Sequence, residues 1–370
     1  MLTPMTNHRG QAAEALWAEL TAGLRRLWHG AGPVAILPAS GTGGLEALVT
    51  NALARGKRVL MASAGAFGDR FGAVAERSGL VVDWVRAEWG RALDPDEVAR
   101  AVRRHRYDAL LLTQNETSTG VAHPLREIVA AARPHVPLVF VDAISGCPAM
   151  PLELDGWGID AVVLGSQKGL MLPPGLALIG LADRVAERFD GTPSVYWDLA
   201  PYWRGNLPYT PALSLWYGLA ESLALLEEEG EATRWRRHRT MSLMVRRAAR
   251  TLGFVPAADE RWASPTVTAL RPPAGVEAPA LLRALRGLGV VMAGGQGPWR
   301  GQVIRVGHVG AVAPLDVVGA MAALERAVAA LDGRPVTGAA AAAATAAWAT
   351  EATGGDPAGT MEEIGGQRHG

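Results

Sequence analysis

The sequence predicts an α/β fold with a mostly parallel central sheet and a smaller C-terminal α/β part, on three observations. Short apolar, partly β-branched runs alternate with stretches of helical pattern through the first half. A loop of glycines and hydroxyls at 38–44 opens directly into a helical pattern. After Pro211 the chain changes to two long helical stretches and then to a second, shorter alternation of strands and helices.

The elements follow in order. Strands are expected over 58–62, 80–85, 109–113, 138–142, 161–165 and 176–180, with helices between several of them, as at 94–104 and 124–132. The long helices cover 211–229 and 231–252, and the arginines of the second, Arg234, Arg236, Arg237 and Arg239, read as a solvated face. The smaller part reads strand 266–270, helix 278–288, strands 290–293 and 302–306, and helix 314–331. This divides the chain into a large domain, 1–235, and a small one, 236–331. From Asp332 onward the composition shifts to Gly, Thr and an alanine run at 339–344, which predicts a disordered tail over 332–370 with at most a transient helix. Trp348 alone is not expected to anchor it.

Composition excludes more than it selects. The 370 residues suffice for two domains and a large core. Lys plus Arg and Asp plus Glu balance at 36 each, so there is no electrostatic footprint for nucleic acid or an anionic membrane. The single cysteine, Cys147, rules out an intramolecular disulfide and a cysteine-rich metal site and fits a reducing cytoplasm. The first nine residues hold no apolar h-region, and no run approaches eighteen uninterrupted apolar residues, so a soluble cytoplasmic protein is expected.

Three segments carry chemistry. In Gly165-Ser166-Gln167-Lys168-Gly169-Leu170 a lysine stands where a strand ends, with no carboxylate near it in sequence. It reads either as a solvated loop lysine or as an amine in a partly desolvated pocket, where a depressed pKa would make it nucleophilic. Asp142 closes the apolar run 138–141, as a turn residue or as an acid presented at a strand end, where ligands gather. Pyridoxal phosphate needs both groups: a lysine for its Schiff base and an acid to keep the pyridine nitrogen protonated. A phosphate site is available at Ser40-Gly41-Thr42-Gly43-Gly44, where helix N–H groups and two hydroxyls would face an anion. The loop fits neither a dinucleotide nor a Walker motif, because the sixth place of the frame from Gly41 is Glu46 and no Gly-Lys-Ser/Thr follows.

Taken with Asn7-His8-Arg9-Gly10, Asn115-Glu116-Thr117-Ser118-Thr119-Gly120, Val141-Asp142-Ala143 and Arg305-Val306-Gly307, these segments resemble the class V aminotransferases among the fold type I pyridoxal-phosphate enzymes. The likeness runs over 7–331 and is closest to the alanine-glyoxylate and serine-pyruvate aminotransferases. It implies that Lys168 forms the Schiff base and Asp142 pairs with the pyridine nitrogen. Ser40, Gly41 and Thr42 would form the phosphate loop, with Gln167 near the phosphate. Phe67 would stack on the cofactor ring, and Thr117 would touch its ring oxygen. Thr210 matches a residue that reaches the phosphate from a neighbouring subunit, which implies a homodimer with shared sites. Arg305 would hold the substrate α-carboxylate, a task suited to a guanidinium fork.

The implied reaction is ping-pong transamination from a small amino acid, alanine or serine, to a 2-oxo acid, glyoxylate or pyruvate. A lyase, another aminotransferase specificity, or a noncatalytic binding module would retain the same fold. A cysteine desulfurase is disfavoured, since Cys147 lies just after Asp142 and is expected to be buried rather than on a late mobile loop. Family members usually carry a Gly-Pro-rich stretch before the Asn-His-Arg segment. Its shortness here implies a missing edge of the substrate pocket or a different start codon.

Overall fold

The computed structural model of the chain describes residues 4–186, 192 and 194–353. It opens with α1 (Gln11–Leu27), β1 (Val34–Leu37), α2 (Gly41–Ala52), β2 (Arg58–Ser63), α3 (Ala66–Arg77), β3 (Val81–Arg86) and α4 (Pro95–Val102). There follow β4 (Ala109–Thr113), the short pair β5 (Asn115–Glu116) and β6 (Val121–Ala122), and α5 (Leu125–Ala132). Strands β7 (Val139–Asp142), β8 (Ala161–Gly165) and β9 (Ala177–Leu181) complete the sheet, after which come α6 (Asp183–Ala186) and α7 (Ala200–Trp203).

Seven strands form one sheet in the order β1-β9-β8-β7-β4-β2-β3. The run from β8 to β3 is parallel, and β9 and β1 add antiparallel neighbours at the other end. Central strands such as β4, β7 and β8 are buried along their whole length, which is why they read as unbroken apolar runs rather than alternations. The first of the expected strands omitted β1, whose four residues are too few to stand out beside the loop that follows.

Then α8 (Leu213–Glu229) packs into the core of the large sheet, and the second part holds α9 (Glu231–Thr251), β10 (Val255–Pro256), β11 (Val267–Arg271), α10 (Ala278–Gly287), β12 (Ala293–Gly294), β13 (Ile304–Gly307) and α11 (Pro314–Asp332). Its four strands make an antiparallel sheet in the order β10-β11-β13-β12. The strand expected over 290–293 shrinks to β12, since Val290 to Met292 lie outside it. One apolar core collects residues up to Leu226, and a second begins at Met241. No helix among the described residues is long and apolar enough to cross a membrane.

Two expectations are corrected. The tail is ordered over α12 (Ala339–Thr353), which packs against α9 and α11 with Ala340, Ala344 and Ala347 fully buried. Methyl-sized side chains at this spacing let the helix lie close against its neighbours, and Trp348 covers the edge of the seam. The start of α12 is tied down by the buried Glu325, whose carboxylate accepts the N–H groups of Thr337, Gly338 and Ala340 and the Thr337 hydroxyl. The disorder expected over 354–370 lies outside the described residues. Nor is the arginine run wholly solvated: Arg234 is 2 % exposed and donates to the carbonyls of Pro148 and Leu226, and Arg237 pairs with Glu229.

Candidate active site

Parallel strands leave their C-terminal ends and the following helix N-termini on one edge of the sheet, and a cavity of about 320 Å³ opens there. Its lining includes Ser40, Gly41 and Thr42 from the start of α2, Phe67 from α3 and Thr117 from the turn after β5. Asp142 from β7 and Gln167 and Lys168 from the turn after β8 complete it. Eight residues far apart in sequence are thus brought together.

At one end lies the N-terminus of α2. Ser40 sits in the capping position with an extended backbone, yet its hydroxyl makes no capping bond to the helix. The first-turn N–H groups therefore face the cavity without a partner from their own helix. A Cβ on Gly44 would come within 2.8 Å of Val163 Cγ1 and 2.9 Å of Ala177 Cβ, so glycine is what lets α2 rest directly on β8 and β9. Beside it the Gln167 Oε1 atom is buried and has no hydrogen-bond partner.

In the same lining Asp142 is 5 % exposed and accepts the Ile144 N–H at 3.0 Å. Burial pushes its pKa up to about 7, against the pull of the Ile144 bond and of the more distant Arg70 and Lys168, and with a further push from Glu116. Among the described residues no cationic side chain pairs with Asp142. Lys168 is half-buried and has no ion pair among the described residues; burial first, and the nearby Arg305 charge second, depress its pKa, while Asp142 opposes them. Its turn is held by the Met171 N–H on the Lys168 carbonyl and by Ser166, whose hydroxyl donates to Pro173 and accepts from the Leu176 N–H. An open anion cradle, a buried acid without an ion pair among the described residues and an amine on one cavity fit pyridoxal phosphate.

Arg305 lies on β13, beside the cavity rather than in its lining. Its Nε donates to the Gly294 carbonyl and its Nη1 to the Thr117 carbonyl, which leaves Nη2 without a hydrogen-bond partner among the described residues. Thr210 is exposed and does not reach the cavity of its own chain. Sequence reasoning missed Arg70, whose guanidinium stands 4.9 Å from the Phe67 ring centroid, three residues along α3 and therefore on the same helical face. Asn115 was also missed; it lines the cavity while donating to Ser145 and to Thr266 of the second part. Cys147 is buried, with its thiol pushed up to about 12 by desolvation. No group of three or more His, Cys, Asp or Glu side chains among the described residues is placed to hold a metal ion.

Fold and comparisons agree on the class: this is a pyridoxal-phosphate-dependent aminotransferase of fold type I. The chain belongs to the aminotransferase class-V family, whose sequence model matches residues 3–297. It is 36 % identical over 335 residues to a protein named soluble hydrogenase, small subunit, of Synechococcus sp. (strain PCC 6716), covering 88 % of this chain and 87 % of that one. It is also 36 % identical over 312 residues to the serine–glyoxylate aminotransferase of Methylorubrum extorquens, covering 80 % and 78 %. Among solved structures, the ureidoglycine–glyoxylate aminotransferase of Bacillus subtilis superposes with a TM-score of 0.89 at 28 % identity, over 94 % of this chain and 93 % of that one.

Proposed function

We propose that the enzyme transfers an amino group from a small amino acid, alanine or serine, to glyoxylate or pyruvate, in two half-reactions at one site. The observation that carries this is the convergence of the Lys168 amine, the buried Asp142 carboxylate and the open N-terminus of α2 on one cavity. Two aminotransferases similar to this chain carry glyoxylate in their names, and one of them serine, which supports those substrates.

When bound, pyridoxal phosphate supplies the electron sink that makes the substrate Cα proton acidic. The chain supplies the rest. Ser40, Thr42, Gln167 and the first turn of α2 would hold the phosphate, and Phe67 would give the ring a flat apolar wall. Asp142 would keep a proton on the ring nitrogen, and Thr117 would contact the ring oxygen. Arg305 offers Nη2 to the substrate α-carboxylate, since its other donors are already committed. Lys168 Nζ, its pKa lowered by burial, would take up the substrate Cα proton and hold it for return.

The exposed Thr210 supports a homodimer in which it completes the partner's phosphate site. The large domain runs 1–235 and the small one from 236, and the packing of α12 on α9 and α11 supports extending the small one past 331 to 353. One free, buried cysteine suits the cytoplasm. The same thiol, buried and held protonated, argues against desulfurase chemistry.

Borohydride trapping of the purified yellow protein, followed by peptide mass mapping, should label Lys168. Alanine or serine, added without an acceptor, should bleach the absorbance band and release one equivalent of 2-oxo acid per site, and glyoxylate should restore the band. Continuous release of pyruvate and ammonia from serine would instead mean elimination.

A further inference from the structure

The acid of the Asn115-Glu116-Thr117-Ser118 segment does not line the cavity, yet it is fully buried, with a relative exposure of 0 %. Its carboxylate closes the N-terminus of α3. One oxygen accepts the N–H groups of Phe67 and Gly68, both at 3.0 Å. The other accepts the N–H and the hydroxyl of Ser118, at 3.0 and 2.6 Å, and the Ser118 oxygen in turn accepts the Ala66 N–H at 2.9 Å. The three leading N–H groups of α3 are therefore all satisfied by a segment some fifty residues away, while the helix's own capping residue, Gly65, has no side chain to offer. A Cβ there would lie 2.5 Å from Ser118 Oγ and 2.6 Å from Glu116 Cδ, so glycine is what admits the carboxylate. On the far side of the same turn the Thr117 carbonyl receives Arg305.

We infer that Glu116 is a positioning residue: it fixes the Phe67 wall of the cavity and, through the backbone of Thr117, ties that wall to the substrate-side Arg305. This rests on the cofactor placement proposed above. A carboxylate is required because four donors converge on it, and a negative charge is favoured at a helix N-terminus. In Glu116→Gln the amide would turn donors towards donors on one side, freeing Phe67 and Gly68 or Ser118.

The test is a double-mutant cycle on cofactor dissociation, followed by fluorescence and by the visible circular dichroism of the bound cofactor. Glu116→Gln should weaken cofactor binding about tenfold, as expected for the loss of one charge-assisted hydrogen bond, and should shrink the dichroic band. The substrate KM should rise with it. In a Phe67→Ala background the same change should cost less than about twofold, because the ring it positions is gone. Equal losses in both backgrounds, or an unchanged dichroic band in Glu116→Gln, would overturn the inference. Should Glu116→Gln not fold, Ser118→Ala, which removes only one donor and the Ala66 acceptor, must show the same non-additivity with Phe67→Ala, and additive losses would overturn it equally. Trapping at Lys168 in the unaltered enzyme separates the outcomes: its failure removes the cofactor placement, whereas its success with an additive cycle removes only the role of Glu116.

Discussion

Helices α2 and α3 follow strands far apart in the same sheet, β1 at one edge and β2 near the other, and residues of both first turns line the same cavity, yet one end is open and the other is filled. In α2 the capping serine leaves its hydroxyl unused, the first turn carries no acid, and no side chain among the described residues caps its leading N–H groups. In α3 a buried glutamate and a serine from β5 and its turn occupy every leading N–H group. The positive end of a helix attracts an anion in either case. The difference is whether the anion is built in or left to arrive, and it separates the part of the cavity that binds from the part that holds its shape.

The sharpest break of that comparison is chemical. Lys168→Ala should lower transamination by roughly a thousandfold or more while cofactor still binds at the open end of α2, because the anion cradle does not depend on the amine. Equilibrium dialysis beside a half-reaction assay checks both halves.

Next come the two glycines. Gly65→Ala drives a Cβ into Glu116 and Ser118, which are buried and mutually bonded, and should cost about 2–4 kcal/mol in urea unfolding as well as cofactor affinity. Gly41→Ala meets Ile144 Cδ1 at 2.4 Å and Cγ1 at 2.7 Å, a single side chain bonded to nothing else, and should cost less in unfolding than Gly65→Ala while weakening cofactor binding roughly tenfold. If both changes acted alike, the open and filled ends would not be different devices. Arg305→Lys should raise the substrate KM about tenfold with a smaller change in kcat, since one point charge replaces a fork held on two carbonyls.

The smallest effects are in pH. Asp142 has a pKa in the folded, cofactor-free protein above its ordinary value, so the stability its proton provides is present in acid and is lost as the pH rises towards about 7. Cofactor-free Asp142→Asn should therefore melt a few degrees higher than the unaltered protein at pH 8 and nearly equally at pH 4. The buried His123, His238 and His308 act with the opposite sign: burial lowers the first two to about 4 and His308 to about 3, so their contribution is full above about pH 6.5 and is lost as the pH falls below it. Calorimetric scans from pH 4 to 8 with and without cofactor should show the alkaline loss vanish on cofactor addition and the acid loss persist.

Much of this was readable in the chain. Strands such as β4, β7 and β8 are apolar because both faces are covered, and Lys168, Asp142 and the Ser40 loop stand at strand and helix ends, where residue type and position suffice. What escaped was of a different kind. Glu116 and Arg70 acquire meaning only from partners distant in sequence or from a turn of helix, and a lone acid between polar neighbours gives no such signal. The packing of α12 was hidden because alanine has neither hydrophobic contrast nor periodicity, although a run of it suits close helix contact. Arg234 was misread because its acceptors are backbone carbonyls, which leave no mark in a charge pattern.

The seat of α12 bears on how the enzyme tolerates shortening. A version ending at Leu331 would strand the Glu325 carboxylate in an oily trough with its four donors gone and would bare the alanine-lined seam of α9 and α11. Such a surface invites aggregation and proteolytic clearance in the cell, so selection should preserve the stretch through Thr353 even though it lies far from the reacting atoms.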